Sequence, residues 1–215
     1  NNTWQAGAID DASSWDGLSF ERADANPDAV VRVAARQGEA VIFGERSTEF
    51  WQDVGGADGT GFQRSAANDL GILAAQSVAM VDQTIVWVAH DRTVRMLNGY
   101  SGARISDHSV ERDIEALDDR SQLQASSWVR DGHTFYKLTS PFWTWVYDTV
   151  TQKWHNRRSY QRPNWRVSTV TAFAGRLIAG DADNGNLYEM GPDFHDEAGD
   201  PLLMELTLPP VHAFP

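Results

Sequence analysis

The sequence predicts an all-β fold, a β-propeller-like array of about four four-stranded antiparallel blades with one short helix, and three observations predict it. Apolar runs of four to six residues rich in Val, Ile, Phe and Trp recur along the chain, as suits a pleated surface packed against neighbours. Polar turns carrying Gly or Asx residues separate them. The turn positions Gly38, Asp82, Gly132 and Gly175 lie 44, 50 and 43 residues apart, close to the roughly 40–50-residue period of four-stranded repeats. One such unit cannot bury both its faces, whereas several packed face to face around an axis can. A closed ring takes about 4–8 blades, so four copies either close the ring or form part of it. The alternative is an irregular β-sandwich whose hairpins have similar lengths.

The N-terminal 1–28 reads as an extended segment. The propeller-like region, 29–190, divides into blades at 29–66, 77–106, 124–158 and 167–190. The first blade runs through Val30–Ala34, a turn at Gln37-Gly38-Glu39, Ala40–Phe43, Ser47–Trp51 and Phe62–Arg64. In the second, Ser77–Val81, a turn at Asp82-Gln83, Thr84–Val88, Thr93–Leu97 and Ala103–Ile105 follow the same order. The third reads Ala125–Val129, a turn at Arg130-Asp131-Gly132, His133–Leu138, Thr144–Tyr147 and Lys153–Arg157. The fourth reads Ser168–Phe173, a turn at Ala174-Gly175-Arg176, Leu177–Ala179, and Asn186–Glu189 after Asp183-Asn184-Gly185. That last tripeptide predicts a type I′-like hairpin turn, since Asn-Gly readily takes positive φ. Residues 191–215 read as a C-terminal tail.

Between the second and third blades, Ser109–Leu117 places Val110, Ile114 and Leu117 at i, i+4, i+7, the spacing of a short amphipathic helix. Asp107 or Ser109 is placed to cap it, with Glu111 and Asp113 in its first turn.

Composition narrows the function. With 41% hydrophobic residues in 215, the chain has enough apolar material for one or two cores. It contains no cysteine, which removes disulfides and thiolate metal sites and suits assembly in a reducing cytoplasm. No stretch approaches the roughly 18 apolar residues of a membrane span. The chain opens on Asn1-Asn2-Thr3-Trp4 without an initiating Met, which predicts part of a longer polypeptide. Thirty acidic against 18 basic side chains give a net charge of −12, which opposes phosphate-tracking contact with DNA. The nine Trp suit sheet cores or interfaces.

Candidate chemistry dissolves into simpler readings. The six histidines, at 90, 108, 133, 155, 195 and 212, form no i, i+4 pair, so no helical metal-ligand motif is present. Asp181-Ala182-Asp183-Asn184-Gly185-Asn186 resembles a calcium loop superficially, but its glycine falls fifth and position 192 is Pro, against the sixth and a terminal Glu in an EF-hand. Asp10, Asp11, Asp131 and Asp148 are candidate glycosidase carboxylates, a pair of which would need about 5–9 Å separation; all four read as acidic turns. No nucleophile elbow, phosphate loop or dinucleotide fingerprint occurs. No catalytic, metal or cofactor residue is therefore assigned.

Two features point to partner contacts. Trp143 and Trp145 share one face of a strand, with Thr144 and Val146 on the other, so one aromatic face packs on the adjacent blade or is displayed. Lys153, Arg157, Arg158, Arg162 and Arg166 form a dense run of basic residues. They read as a solvated face or as contacts with an acidic neighbour or DNA. The partner candidates are Trp143, Trp145, Arg157, Arg158 and Arg162.

Several segments carry a family resemblance. Val41-Ile42-Phe43-Gly44-Glu45-Arg46-Ser47-Thr48-Glu49-Phe50-Trp51, then Phe62-Gln63-Arg64, Ser77-Val78-Ala79 and Asp82-Gln83-Thr84-Ile85-Val86-Trp87, are joined by Asn98-Gly99-Tyr100 and Arg104-Ile105-Ser106-Asp107-His108-Ser109-Val110-Glu111. Trp145-Val146-Tyr147-Asp148, Lys153-Trp154-His155-Asn156-Arg157-Arg158, Gly180-Asp181 and Asn184-Gly185-Asn186-Leu187-Tyr188-Glu189 complete the series. Over roughly residues 14 to 190 the chain resembles the packaged-DNA stabilisation proteins of short-tailed phages, the tail hub or nozzle family. The resemblance implies a structural virion protein, a homo-oligomer and specifically a hexamer, below the portal and adaptor rings. It would help retain packaged DNA, let DNA pass at ejection, and carry a distal tail needle, fibre or spike. The chain departs from the family in lacking its N-terminal portion and in the glycine-rich loop Gly55–Gly61, whose composition predicts mobility. The alternative function is a glycan-binding or glycan-hydrolysing propeller for host attachment.

Overall fold

The computed structural model describes residues 1–8, 11, 13–55 and 61–205. Its core is a series of antiparallel sheets built in chain order. The first contains β3 (Val30–Arg36), β4 (Glu39–Gly44), β5 (Thr48–Asp53) and β6 (Phe62–Asn68), following the N-terminal pair β1 (Thr3–Gln5) and β2 (Phe20–Arg22). The second contains β7 (Ala79–Val81), β8 (Thr84–Val88), β9 (Val94–Asn98) and β10 (Ser101–Arg104). The helix α1 (His108–Glu115) precedes the third sheet, β11 (Gln124–Arg130), β12 (His133–Thr139), β13 (Thr144–Asp148) and β14 (Lys153–Asn156). The fourth sheet is β15 (Val167–Phe173), β16 (Arg176–Asp181) and β17 (Leu187–Met190), followed by the small hairpin β18 (Asp196–Glu197) and β19 (Asp200–Pro201). Within each large sheet neighbouring strands are consecutive in sequence, an up-and-down meander.

The sheets pack face to face, and the alternation of side chains assigns each residue to a seam. Along β8, Ile85 and Trp87 join Val41, Phe43 and Phe50 of the first sheet, while Val86 and Val88 face Tyr136 and Leu138 of the third. Burial on both faces explains why Val41-Ile42-Phe43 and Ile85–Val88 are continuous apolar runs rather than alternating ones. β11 lies beside both β7 and β15, so successive sheets fan outward from their first strands. This is the blade arrangement the repeat predicts, and among the described residues no sheet closes on itself.

The hairpin turns fall where the sequence predicts. Both central residues have positive φ at Gln37-Gly38 (48° and 82°), Asp131-Gly132 (53° and 79°) and Ala174-Gly175 (49° and 77°), the geometry that matches strand twist. The expected type I′ turn at Asp183-Asn184-Gly185 is corrected: neither Asn184 nor Gly185 has positive φ. Instead the Asp181 carboxylate accepts from Asp183 N and the Asn184 side chain from Asn186 N, both at 2.9 Å. These local side-chain bonds replace the turn geometry.

The helix forms as its spacing predicts. Asp107 caps it, accepting from Ser109 N and Val110 N at 2.9 and 3.0 Å. Val110, Ile114 and Leu117 enter the seam between the second and third sheets. The fourth repeat has three strands among the described residues rather than four. Within 1–28, β1 and β2 pair and lay Trp4 and Ala23 on Ile42 and Trp51 of the first sheet. The far face of the fourth sheet, with Phe173 and Leu187 71% and 72% exposed, has no cover among the described residues. The glycine-rich loop and the end of the C-terminal tail fall largely outside the described residues, as do Asp10 and His212. Among the described residues no helix is long and apolar enough to cross a membrane.

Candidate functional site

The distinctive chemistry lies where the third sheet meets the fourth. Pairing sets Lys137 of β12 opposite Ser126 of β11 and Val146 of β13, which in turn lies opposite His155 of β14. All four side chains therefore share one face. Lys137 is fully buried. Its ammonium donates to the carbonyls of Val167 and Ser168 at 2.5 and 2.6 Å, joining the third sheet to the first strand of the fourth. Burial lowers its pKa to about 8, because a charged group loses hydration in a low-dielectric seam.

Arg157, just beyond β14, lies over the rings of Trp128 and Trp165 at 5.7 and 5.0 Å. Its Nε donates to His155 Nε2 at 3.3 Å. Burial, and secondarily the Arg157 charge, push the His155 imidazole down to about 4. The ring is thus neutral near pH 7 and accepts rather than competes for charge. Trp165 Nε1 donates to Glu197 at 2.6 Å, which ties the β18–β19 hairpin to the same place. His155, Arg157, Trp165 and Glu197 line an open cleft of about 600 Å³.

The basic run does not gather into one free cationic patch. Arg158 pairs with Glu205 at 2.5 Å, Arg162 with Asp183, and Arg166 with Asp181 at 2.8 Å and Asp200 at 3.4 Å. Intrachain carboxylates thus neutralise most of the run, and the solvated-face reading is corrected for Arg157 and Arg166, whose guanidinium groups pack inside the structure. Lys153 remains exposed. Trp143 and Trp145 both join the seam toward the second sheet, and Trp145 Nε1 donates to Asp113 of α1 at 2.9 Å. Their shared strand face is therefore aromatic core.

The candidate carboxylates are similarly occupied. Asp131 and Asp148 border one shallow pocket. Partial burial of Asp148 works against its ionisation, but bonds from His133, Thr151 and backbone amides prevail and bring it to about 2. A glycosidase acid needs the opposite shift. Asp131 pairs with Arg130 at 3.2 Å, and Asp11 is exposed and bonded to Ser13 at 2.6 Å. Asp181 is committed to Arg166 rather than to a cation loop. Among the described residues no group of three or more His, Asp or Glu side chains converges as a metal site.

Sequence reasoning missed Lys137, Trp128 and Trp165. A signal existed in His133–Leu138, where a lone Lys interrupts a run buried on both faces.

The fold is a propeller-type array of sheets, and the charged groups of the site serve sheet-to-sheet contacts. The family described as "Bacteriophage P22 Gp10, beta-propeller" matches residues 2–195, and the chain belongs to that family. The match extends beyond the segments that carry the resemblance and makes this a phage structural protein. No curated protein matches the sequence at a significant level. Among solved structures, the computationally designed Ika4 protein is similar at 13% identity and TM-score 0.44, covering 78% of this chain and 93% of its own. BamB from Moraxella catarrhalis is similar at 13% identity and TM-score 0.41, with 77% and 45% covered. The Neurospora crassa Pan2 WD40 domain is similar at 11% identity and TM-score 0.44, with 80% and 49% covered. The chain thus spans under half the length of the latter two. The assignment rests on the family match and the sheets themselves.

Proposed function

We propose that this chain is a tail hub or nozzle component of the phage virion, assembled in the host cytoplasm, that helps retain packaged DNA. The family match over residues 2–195 carries the reading. In it the chain acts as a homo-oligomer, a hexamer, with head-to-tail adaptor or portal-side proteins above and a needle, fibre or spike below. Its part is mechanical and electrostatic rather than catalytic. The net charge of −12 favours a DNA path that repels phosphate and lets DNA slide once a plug moves. The uncovered face of the fourth sheet leaves a place for a further blade or neighbouring subunit.

The test is a cryo-electron microscopy map of the intact particle, with the chain located by fitting its four sheets. The expected result is six copies on the tail axis below the portal, with acidic side chains toward the channel. A location on a peripheral fibre, or a strongly basic channel, would overturn the reading. Hydrolysis of a surface glycan by the purified chain would favour the attachment alternative.

A further inference from the structure

The cleft between the third and fourth sheets holds one arginine that no carboxylate pairs among the described residues. Four arginines line it: Arg130, Arg157, Arg158 and Arg166. Three pair with carboxylates, Arg130 with Asp131, Arg158 with Glu205, and Arg166 with Asp181 and Asp200. Arg157 has no carboxylate within ion-pair distance among the described residues. Its one hydrogen bond there runs from Nε to the neutral His155 ring, and its terminal Nη groups have no protein acceptor among the described residues. Two indoles hold its plane, so the guanidinium is oriented before anything arrives. Burial destabilises its charge, nearby Arg130 adds to this, and Glu197 offsets it. A desolvated guanidinium gains most from a carboxylate that meets both Nη groups at once.

We propose that this cleft receives a carboxylate from another polypeptide, an Asp or Glu side chain, with Arg157 as the group that binds it. The walls select this occupant. Glu189, Asp196, Glu197 and Glu205 line the same cleft and repel a polyanion such as a nucleic-acid backbone, while a single acidic side chain can meet Arg157, the one lining arginine that no carboxylate pairs among the described residues. Met190, Phe194 and Leu203, also on the wall, offer no donors to sugar hydroxyls but suit apolar neighbours of the acidic residue. A volume of about 600 Å³ lies in the usual range for built binding sites, roughly 300–1,000 Å³. The proposal stands on the cleft's geometry and does not require the tail location.

The probe is the capped tripeptide acetyl-Ala-Glu-Leu-amide, titrated into the nitrogen-15-labelled chain while the indole N–H signals of Trp128 and Trp165 are followed. The expected result is saturable movement of those two signals, absent with the Gln-containing peptide at equal ionic strength. Arg157→Gln should weaken binding by about tenfold or more, the usual scale of a charge-assisted bond. Arg157→Lys keeps the charge but loses the fork, and should fall between the two. Unchanged Trp87 and Trp154 signals report that each variant is folded. Equal shifts with the Glu and Gln peptides, or wild-type affinity in both variants, would overturn the proposal. So would tighter binding of inorganic phosphate or glucuronate than of the Glu peptide.

Discussion

The third sheet faces two seams of opposite character. Toward the second sheet its Tyr136, Leu138, Trp143 and Tyr147 meet Val81, Val86 and Val88, and Val110 and Ile114 of α1, with Leu117 just beyond it, close the seam. Toward the fourth sheet the same strands present Lys137, His155 and nearby Arg157 among Trp128, Val146, Trp165 and Val170. A period-2 alternation on one strand thus builds both: Tyr136 and Leu138 point one way, Phe135 and Lys137 the other. The apolar seam is held by area removed from water, which is insensitive to pH. The polar seam is held partly by directional bonds from cations whose desolvation opposes folding, so its strength depends on protonation.

Four measurements break or sharpen this contrast. The largest effect belongs to the apolar seam. Leu138 is fully buried, and Leu138→Ala should cost about 2–5 kcal/mol in urea unfolding, combining lost transfer energy with an unfilled cavity. A cost below about 1 kcal/mol would mean that this seam is loosely packed and the contrast is wrong.

The second acts through Lys137. Its ordinary value of 10.5 falls to about 8 in the folded chain. Between those pH values the unfolded chain keeps the proton and the folded chain releases it, so this group makes stability rise with pH across the window. Below about pH 8 both states carry the charge, and the folded state bears its desolvation. Relative to Lys137→Met, the wild type should gain up to about 3 kcal/mol between pH 8 and 10.5, read as the difference between two urea curves at each pH. A flat difference would show that the Val167 and Ser168 carbonyls hold the proton as firmly as water does.

The third tests the helix that seals the apolar side. Asp107→Ala removes the acceptor for Ser109 N and Val110 N, and should cost about 1 kcal/mol in urea unfolding. A cost near zero would mean that the cap does not hold α1 against the apolar seam.

What was readable beforehand follows the same division. Runs such as Val41-Ile42-Phe43 and the turns at Gly38, Gly132 and Gly175 reflect local propensity and burial, which act within a few residues. The helix was readable because its cap and three apolar positions lie within eleven residues. Lys137 was not, because its acceptors at Val167 and Ser168 lie 30 and 31 residues away and no local pattern encodes them. Arg157 was singled out as a surface contact, but the indoles that flank it come from separate segments, at 128 and 165. The turn at Asp183-Asn184-Gly185 misled because the Asp181 and Asn184 side chains compete for the backbone amides that a primed turn would leave free.

The smallest effect, and the one most specific to the polar seam, belongs to His155. Burial and the Arg157 charge lower it from 6.5 to about 4. As pH falls through 6.5, the unfolded chain takes up a proton that the folded chain refuses, so stability is lost progressively toward pH 4. Since the ring is partly accessible, solvent screening reduces the effect, and a loss of about 1 kcal/mol between pH 7 and 5 is expected. His155→Asn should remove that slope. Paired urea titrations at pH 7 and 5 measure it. Equal acid sensitivity in both proteins would mean that the imidazole protonates freely, and that Arg157 can turn toward solvent without cost. The polar seam would then be an open joint rather than a packed one.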